Sequence, residues 1–600
     1  MGNFVALTAS PDILQNEDLY KRTVEAAKSN ASVEECDACF VRSQWSWAVS
    51  FPRRNKSGSK IARDQVTGSW LAVVGTCFHE SGNDDPEFLL RQFLDHGAAQ
   101  LARSLEGFFV VVAGDGTSQQ IAVITDIVGS CHFYSRHVNG AIALSSSSLA
   151  LASLASVSPD PVACQEFLAT GIIYEDRTLH QEIRKLPPAS IITFRDGREL
   201  ERQLYWDVSS LSPESLDPDA ATDALWHTLV AAAAKIGNRF EKVVCDLTGG
   251  YDSRAMVAAF VGAKKNFVSV VSGPEDSKDV IVSRGLARKL GLEHLHNLRT
   301  ESFSAADLID SARLTDCEFD VVEYAGTAHT HRKLSQRFDI SINGSFGELA
   351  RGYWWELLAP NTGQNRLLDS HLLARRRYAV NSAGDLFRPE LRLDLVEHMT
   401  AVVERTIADL SGFPNTFQMD VAYLRMRMQR WQGRIASSTN KLWPCLSPFM
   451  FRSVLETMLQ ANFAVRQRSL LVRKMLARYV PAMADFPLEH GYPAVPATLA
   501  NAWRFWPLAP YYFGRAVRKA KSYVRQPTKA PTAVDRTRSE LWSTKEINSL
   551  LRPQEMKSAS IFDSSALQAF LKASREPIFA RNSEFNRILS LEIATCAAVS

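Results

Sequence analysis

The sequence predicts two fold classes in series: an α+β domain of layered sheets over residues 1–207, then an α/β domain on a parallel sheet over residues 208–600, with a helical C-terminal region. Three observations lead there. Short apolar runs rich in β-branched residues, separated by Gly and Asn turns, mark the first third of the chain. Farther on, strand-like runs alternate with stretches of helical periodicity, the order that builds parallel sheets. The length of 600 residues also exceeds what one hydrophobic core accommodates.

Composition narrows the function. Charged residues make up 22% and hydrophobic ones 46%, an ordinary soluble globular balance. A net charge of +3 argues against bulk electrostatic capture of nucleic acid. No apolar run reaches membrane-spanning length, and no basic segment followed by a long apolar one opens the chain, so a cytoplasmic location is expected. The nine cysteines are scattered and odd in number, and read as thiols. Cys36 and Cys39 form a lone pair without the second pair or clustered histidines of a zinc site, and read as incidental.

In the first third, Pro86 to Ser104 carries apolar residues at helical spacing. Phe108–Ala113, Ile121–Thr125 and Ala141–Ser145 read as strands, with turn signals at Gly114 to Gly116, Gly129-Ser130 and Asn139-Gly140. In order, Leu105 to Phe109, Thr125-Asp126 followed by Phe133-Tyr134, and Ala143 to Leu149 resemble the landmarks of the class II glutamine amidotransferase domain, an Ntn-hydrolase-like fold. Thr178 to His180, Ile183, Leu186-Pro187-Pro188 and Tyr205-Trp206 resemble the segment leading out of it. That family cleaves glutamine with a cysteine at the mature N-terminus, whose own α-amine is the base. Here Met1 is followed by Gly2-Asn3-Phe4, and the first cysteine is Cys36. The resemblance therefore implies a degenerate domain without glutaminase activity. Its expected role is structural, packing on the second half or shaping an acceptor site.

The second half is organised around Val243 to Arg254, where an apolar run breaks into Gly249-Gly250 and Ala255 to Phe260 resumes at helical spacing. Strand, tight loop and helix are expected. Adjacent glycines let backbone amides approach an anion, and the helix start adds free N–H groups and its positive dipole end. Thr248 and Ser253 can donate hydroxyls, and Asp252 can hold a magnesium ion on phosphate oxygens. The alternative is an ordinary strand-to-helix turn. The string resembles the pyrophosphate loop Ser-Gly-Gly-x-Asp-Ser of the asparagine synthetase-like ATP pyrophosphatases, with Thr248 in place of the first serine. The resemblance implies that Leu247, Thr248, Gly249, Gly250, Tyr251, Asp252 and Ser253 bind ATP, with Val271, Ser272 and Gly273 at the end of the next strand facing the adenine.

A third strand and glycine-rich loop run from Asp339 to Glu348. With Leu349, Gly352 and Tyr353 they resemble the family's Ser-Gly-Glu-Gly-Ser-Asp-Glu-Leu-Phe-Gly-Gly-Tyr, which adds Gly344 and Ser345 to the nucleotide candidates. The family's magnesium-binding aspartate falls at Gly347, so Glu348 is the expected second metal ligand beside Asp252. Asp420 to Gly433 reads as an amphipathic helix. Its Arg425, Arg427 and Arg430, with Arg434, resemble the helix lining the family's nucleotide cleft; a solvated face is the alternative. The family's Pro-Lys-x-Gly-Phe, whose lysine stabilises charge during acyl transfer, is matched only by Pro487-Leu488-Glu489-His490-Gly491-Tyr492. Lys474 or Lys441 would have to replace that lysine, with His490 as a possible base. Trp503 to Arg525 mixes aromatic and basic residues and reads as core packing with a polar face, or as a surface for a peptide, an acidic partner or a membrane. Residues 526–538 read as a linker, and Phe585 to Glu592 as the closing helix.

The resemblance as a whole implies an ATP- and magnesium-dependent ligase that adenylates a substrate carboxylate, releases pyrophosphate and passes the acyl group to an amine. Catalytic roles fall to Asp252, Glu348 and Lys474. Without a glutaminase cysteine the amine is ammonia or part of the substrate, as in β-lactam synthetases and lasso-peptide cyclases. The expected setting is natural-product or peptide macrolactam synthesis, with a precursor peptide or protease as partner. Alternatives are an ammonia-dependent asparagine synthetase, a weakened binding or regulatory member, and an amidating enzyme of a glycan locus.

Overall fold

The computed structural model describes residues 2–31, 38–55, 57–58, 60–298, 302–380, 383–508, 510 and 531–599. Twelve strands come first among them: β1 (Asn3–Thr8), β2 (Cys39–Arg42), β3 (Ser46–Phe51), β4 (Ile61–Arg63), β5 (Trp70–His79), β6 (Leu105–Asp115), β7 (Gln120–Thr125), β8 (Tyr134–Val138), β9 (Ala141–Ser145), β10 (Ile183–Lys185), β11 (Ser190–Arg195) and β12 (Arg198–Leu204). They form two antiparallel sheets, ordered β10-β8-β9-β1-β3-β2 and β12-β11-β7-β6-β5-β4. The period of two decides which side each residue serves. Phe4 and Ala6 of β1, with Trp70 and Ala72 of β5, meet in a core between the sheets. Val5 and Leu7 face the helix Glu17–Ala31 on one outer side, and Leu71 faces the helix Pro86–Ser104 on the other. The result is helix, sheet, sheet, helix, the layered arrangement the sequence predicts.

The later sheet is parallel throughout, ordered β15-β14-β13-β16-β17, with β13 (Val243–Asp246), β14 (Val268–Ser272), β15 (His294–Asn297), β16 (Ile340–Ile342) and β17 (Cys445–Leu446). From β13 the chain winds outward to β14 and β15, then crosses to β16 on the other side. Such a reversal opens a crevice at the carboxyl ends of the strands. Of the connecting helices, α1 (Tyr251–Gly262) follows β13, α2 (Lys278–Leu290) follows β14, and α3 (Val321–Leu334) precedes β16. Sequence reading misses β15 and β17 because edge strands of four and two residues carry no periodicity of their own.

Three expectations need correction. The stretch 420–433 is not one amphipathic α-helix: α4 (Asn415–Ala422) gives way to a π-helix over Tyr423–Gln432, and α-helix resumes as α5 (Gly433–Leu442). Residues 531–538 of the expected linker are ordered, and 526–530 lie outside the described residues. Thr532 and Asp535 form a capping box at the helix Ala533–Ser543, and buried Arg538 bonds Asp535 and the Ser574 and Glu576 carbonyls. Trp503 and Trp506 are 76% and 75% exposed rather than packed in the core, while residues 509 and 511–525 lie outside the described residues. The C-terminal helix Asn582–Val599 packs back on the helix Pro161–Thr170, so the C-terminal region shares one apolar cluster with a helix of the first half. Among the described residues, no helix is long and apolar enough to cross a membrane.

Candidate active site

At the carboxyl ends of β13, β14, β16 and β17 lies a cleft enclosing about 930 Å³. Asp246 and Thr248 line it after β13, Val270 to Ser272 from β14, and Asn343 and Ser345 after β16. Thr327, Thr330 and His331 close it from α3, and Gln432, Ala436 and Thr439 from the π-helix and α5. Val271 and Ser272, expected at an adenine, therefore face the cavity. Gly273 is held in the backbone ladder instead, its N–H on Asn297 O and its carbonyl on His296 Nε2.

The loop from Leu247 to Ser253 stands between this cleft and α1. Leu247 is wholly buried. Thr248 N–H donates to Ser253 Oγ at 3.0 Å, and Gly250 N–H to Thr248 Oγ1 at 3.2 Å. Gly249 N–H donates to the Asp279 carboxylate at 2.8 Å, a contact set up by the first turn of α2. Three loop amides are thus already paired within the chain. The N-cap of α1 is Gly250, which offers no side-chain cap to the first-turn N–H groups. Asp279 is a member of the site that sequence reading missed; its one signal is an acid three positions after Asp276 at the start of the next helix.

Asp252 stands beside this loop, 16% exposed. Its Oδ2 accepts from Arg351 Nη2 at 2.7 Å, while Oδ1 has no hydrogen-bond partner. Burial raises the Asp252 pKa against the pull of Arg351. Glu348 stands close enough for the two carboxylates to oppose each other: burial first, then the Asp252 charge, pushes Glu348 up to about 7, and its Oε2 is also buried without a partner. Gly347 makes this proximity possible. A Cβ there would lie 2.7 Å from Asp252 Cβ, so an aspartate at 347 does not fit the present backbone. Arg351 supplies positive charge on Asp252 instead. Gly344 packs on the start of α1, 2.9 Å from Ser253 N at its would-be Cβ, and Ser345 faces open space.

A second cleft, of about 830 Å³, shares Ser345 and Gln432 with the first. The π-helix shapes it. Bonding of i to i+5 widens the turn, so Tyr423, Arg427 and Trp431 look into this second cleft while Arg425, Gln429 and Arg430 line a third cavity on the far side. Near the junction with α5 the Gln429 carbonyl accepts from His132 Nε2 at 2.8 Å, a contact from the first half of the chain. A carbonyl only accepts, so Nε2 carries the proton. The four arginines expected at a nucleotide thus separate. Arg425 pairs with Asp409, Arg434 is buried against Asp316 and Tyr134, Arg430 faces the third cavity, and only Arg427 faces an open cleft next to the loop.

Neither candidate replacement lysine reaches the site. Lys474 pairs with Asp219 on the outside of the molecule, and Lys441 is buried on Asp316. His490 lies 3.1 Å from Glu489, whose own Cβ flanks Gly249. In the first half, Gly2 opens β1 with no room for a side chain, since a Cβ would sit 2.2 Å from Pro52 O. Asp126 accepts from the N–H groups of Val128, Ser130 and Cys131, which makes it the clasp of a loop. The described cysteines are all free, and burial pushes the Cys77 thiol up to about 12 and Cys131 higher. Neither Cys77 nor Cys131 is a poised nucleophile. Cys36 lies outside the described residues.

Residues 72–206 match the model of a glutamine amidotransferase domain. Among solved structures, the chain is similar to a glutamine phosphoribosylpyrophosphate (PRPP) amidotransferase from B. subtilis complexed with ADP and GMP, at 9% identity and a TM-score of 0.24, covering 49% of this chain and 65% of that one. It is also similar to the allosteric regulatory enzyme of purine biosynthesis, at 11% identity and a TM-score of 0.22, covering 44% of this chain and 64% of that one. The chain thus spans less than two thirds of either. No curated protein matches it. What the match establishes is a glutamine amidotransferase-type domain in the N-terminal part of the chain.

Proposed function

We propose that residues 208–600 form an ATP-dependent amide ligase, with residues 1–207 as its degenerate amidotransferase-like partner. One observation carries this: the cleft at the reversal point of a parallel sheet meets the uncapped start of α1 through Thr248. In this reading Val270 to Ser272 hold the base. Thr248 and the first turn of α1 hold the phosphates, and Ser345 and Gln432 stand where the α-phosphate meets an acid held in the second cleft.

The donor set suits a magnesium ion. Asp252 Oδ1 and Glu348 Oε2 are unpartnered carboxylate oxygens in one buried place, and magnesium typically takes one or two carboxylates together with substrate phosphates. Bound there, it would neutralise phosphate oxygens. Arg351 fixes the Asp252 carboxylate by its other oxygen. Among the described residues no group of three such ligands occurs, so the phosphates would complete the shell. The amine is ammonia or one carried by the substrate, and in the second case the product is a lactam, of β-lactam or macrolactam size.

Titration calorimetry with ATP and magnesium tests the reading. The intact chain should bind, and Asp252→Ala should weaken binding and, once an acid is supplied, cut pyrophosphate release at least about 100-fold. Equal release from the variant would sink the assignment. The hold of Asp279 on Gly249 N–H favours a second reading, a binding or regulatory protein whose loop is permanently occupied. Absence of any heat with ATP selects it.

A further inference from the structure

The second cleft has a chemistry of its own. Tyr353, Trp354 and Tyr423 form one aromatic wall, with ring centroids 5.0 to 5.8 Å apart, and Trp431 forms another. The Arg427 guanidinium lies 3.7 Å over the Trp431 ring and makes no ion pair among the described residues. Arg376, exposed at the mouth, likewise has none. Arg377 differs: it pairs with Glu356 and covers Trp354. Glu348 is the one acid lining the cleft, and it sits at the Asp252 end.

The backbone is held out of its ordinary range here. Phe346 and Trp354 adopt φ of 71° and 67°, in the left-handed region that non-glycine residues avoid. The turn at Trp354 sets its ring in the aromatic wall.

Two guanidinium groups without ion pairs, the rings of Tyr353 and Tyr423, and the rings of Trp354 and Trp431, each with one guanidinium already over it, select a ligand that is both anionic and planar. Guanidinium grips carboxylate through two parallel N–H donors while its own face stacks on an aromatic ring. A cationic ligand would suit the rings but meet two arginines, and an aliphatic acid would leave the walls unfilled. We propose that the second cleft binds an aromatic carboxylic acid bearing a second anionic group, oriented by Arg427 inside and Arg376 at the mouth. This identifies the class of acid for the ligase reading above and rests on it only for the acid's fate. Binding itself requires no nucleotide.

The test uses the full chain and four small probes at matched ionic strength: terephthalate, adipate, benzamide and tetramethylammonium. Quenching of tryptophan fluorescence and titration calorimetry report binding. Terephthalate should bind at least tenfold more tightly than the other three. Arg427→Gln should remove at least tenfold of that affinity and Arg376→Gln a smaller part, with ATP binding unchanged in Arg376→Gln. Equal or tighter binding of adipate or tetramethylammonium overturns the proposal. So does an absence of saturable terephthalate binding, or an Arg427→Gln variant that binds as the parent does. If terephthalate binds and ATP does not, the ligase reading fails and this one stands; the reverse result leaves the ligase and removes this proposal.

Discussion

Two places in the molecule bury several charges at once, and they are built differently. At the junction between the N-terminal sheets and α5, Arg434 meets Asp316 at 2.8 Å and Tyr134 OH at 2.7 Å, and Lys441 meets Asp316 at 2.9 Å. Lys185 meets Glu318 at 3.1 Å, while Ser147 and Ser148 donate to Asp316 and Glu318. Every charged group there has partners, and the exposures of Arg434 and Asp316 are 1% and 0%. At the loop, by contrast, Asp252, Glu348 and Arg351 each keep a buried polar atom unpartnered. Buried polar groups in folded proteins are overwhelmingly satisfied. A complete set acts as a fastening between parts of the chain, whereas the incomplete one at the loop is what the proposed magnesium and phosphate site requires.

The junction gives the largest expected effect. Asp316→Ala removes the shared acceptor of Arg434 and Lys441 and strands two buried cations, one of which burial already depresses to about 8. Removing one partner from a buried charge set costs about 3–5 kcal/mol. The thermal midpoint should fall by several degrees. An unchanged midpoint would mean that the completeness of the set carries no weight.

His132 offers a smaller, pH-resolved test on the same junction. Burial, and then the nearby Arg434 charge, holds its pKa well below 6.5, so the folded chain keeps it neutral where the unfolded chain takes up a proton. The folded-state pKa of this base is depressed, so stability rises with pH up to about 6.5 and is lost as pH falls below that value. His132→Gln can keep the bond donated to Gln429 O but does not titrate. Between pH 6.5 and 5 the parent should lose about 1.5 kcal/mol more stability than the variant, a difference readable from paired denaturant titrations. Parallel pH curves would show that His132 is reached by solvent.

The same contrast explains what the sequence reveals. The loop Leu247–Ser253 and its strand are legible because one short run contains the turn glycines, the hydroxyls and the acid. The strands read at 108–113, 121–125 and 141–145 are legible for the same reason: an apolar run between turn residues needs no knowledge of partners. Arg427 cannot be told from Arg425, Arg430 and Arg434 in this way. All four recur along one helical stretch, and their separation depends on a π turn and on acids at positions 316 and 409. Asp279 is equally hidden, since its contact with Gly249 spans 30 positions. The expectation for Lys474 fails for a related reason: the nearby acid that claims it, Asp219, belongs to a helix more than 250 positions earlier.

The smallest effect is the sharpest on the comparison, because its sign opposes that of Asp316→Ala. Asp252 is a partly buried carboxylate whose pKa is raised by desolvation and which stands close to a second carboxylate. Asp252→Asn removes that repulsion and keeps the shape, and the amide oxygen still accepts from Arg351. It leaves the Arg351 charge balanced by Glu348, which contributes to the raised Arg351 pKa. Residues arranged for ligands are commonly suboptimal for stability, and replacing them commonly adds about 0.5–2 kcal/mol. Asp252→Asn is therefore expected to raise the thermal midpoint by a degree or more while weakening magnesium-dependent ATP binding. A fall comparable to that of Asp316→Ala would show that Asp252 belongs to the fastening rather than to a site.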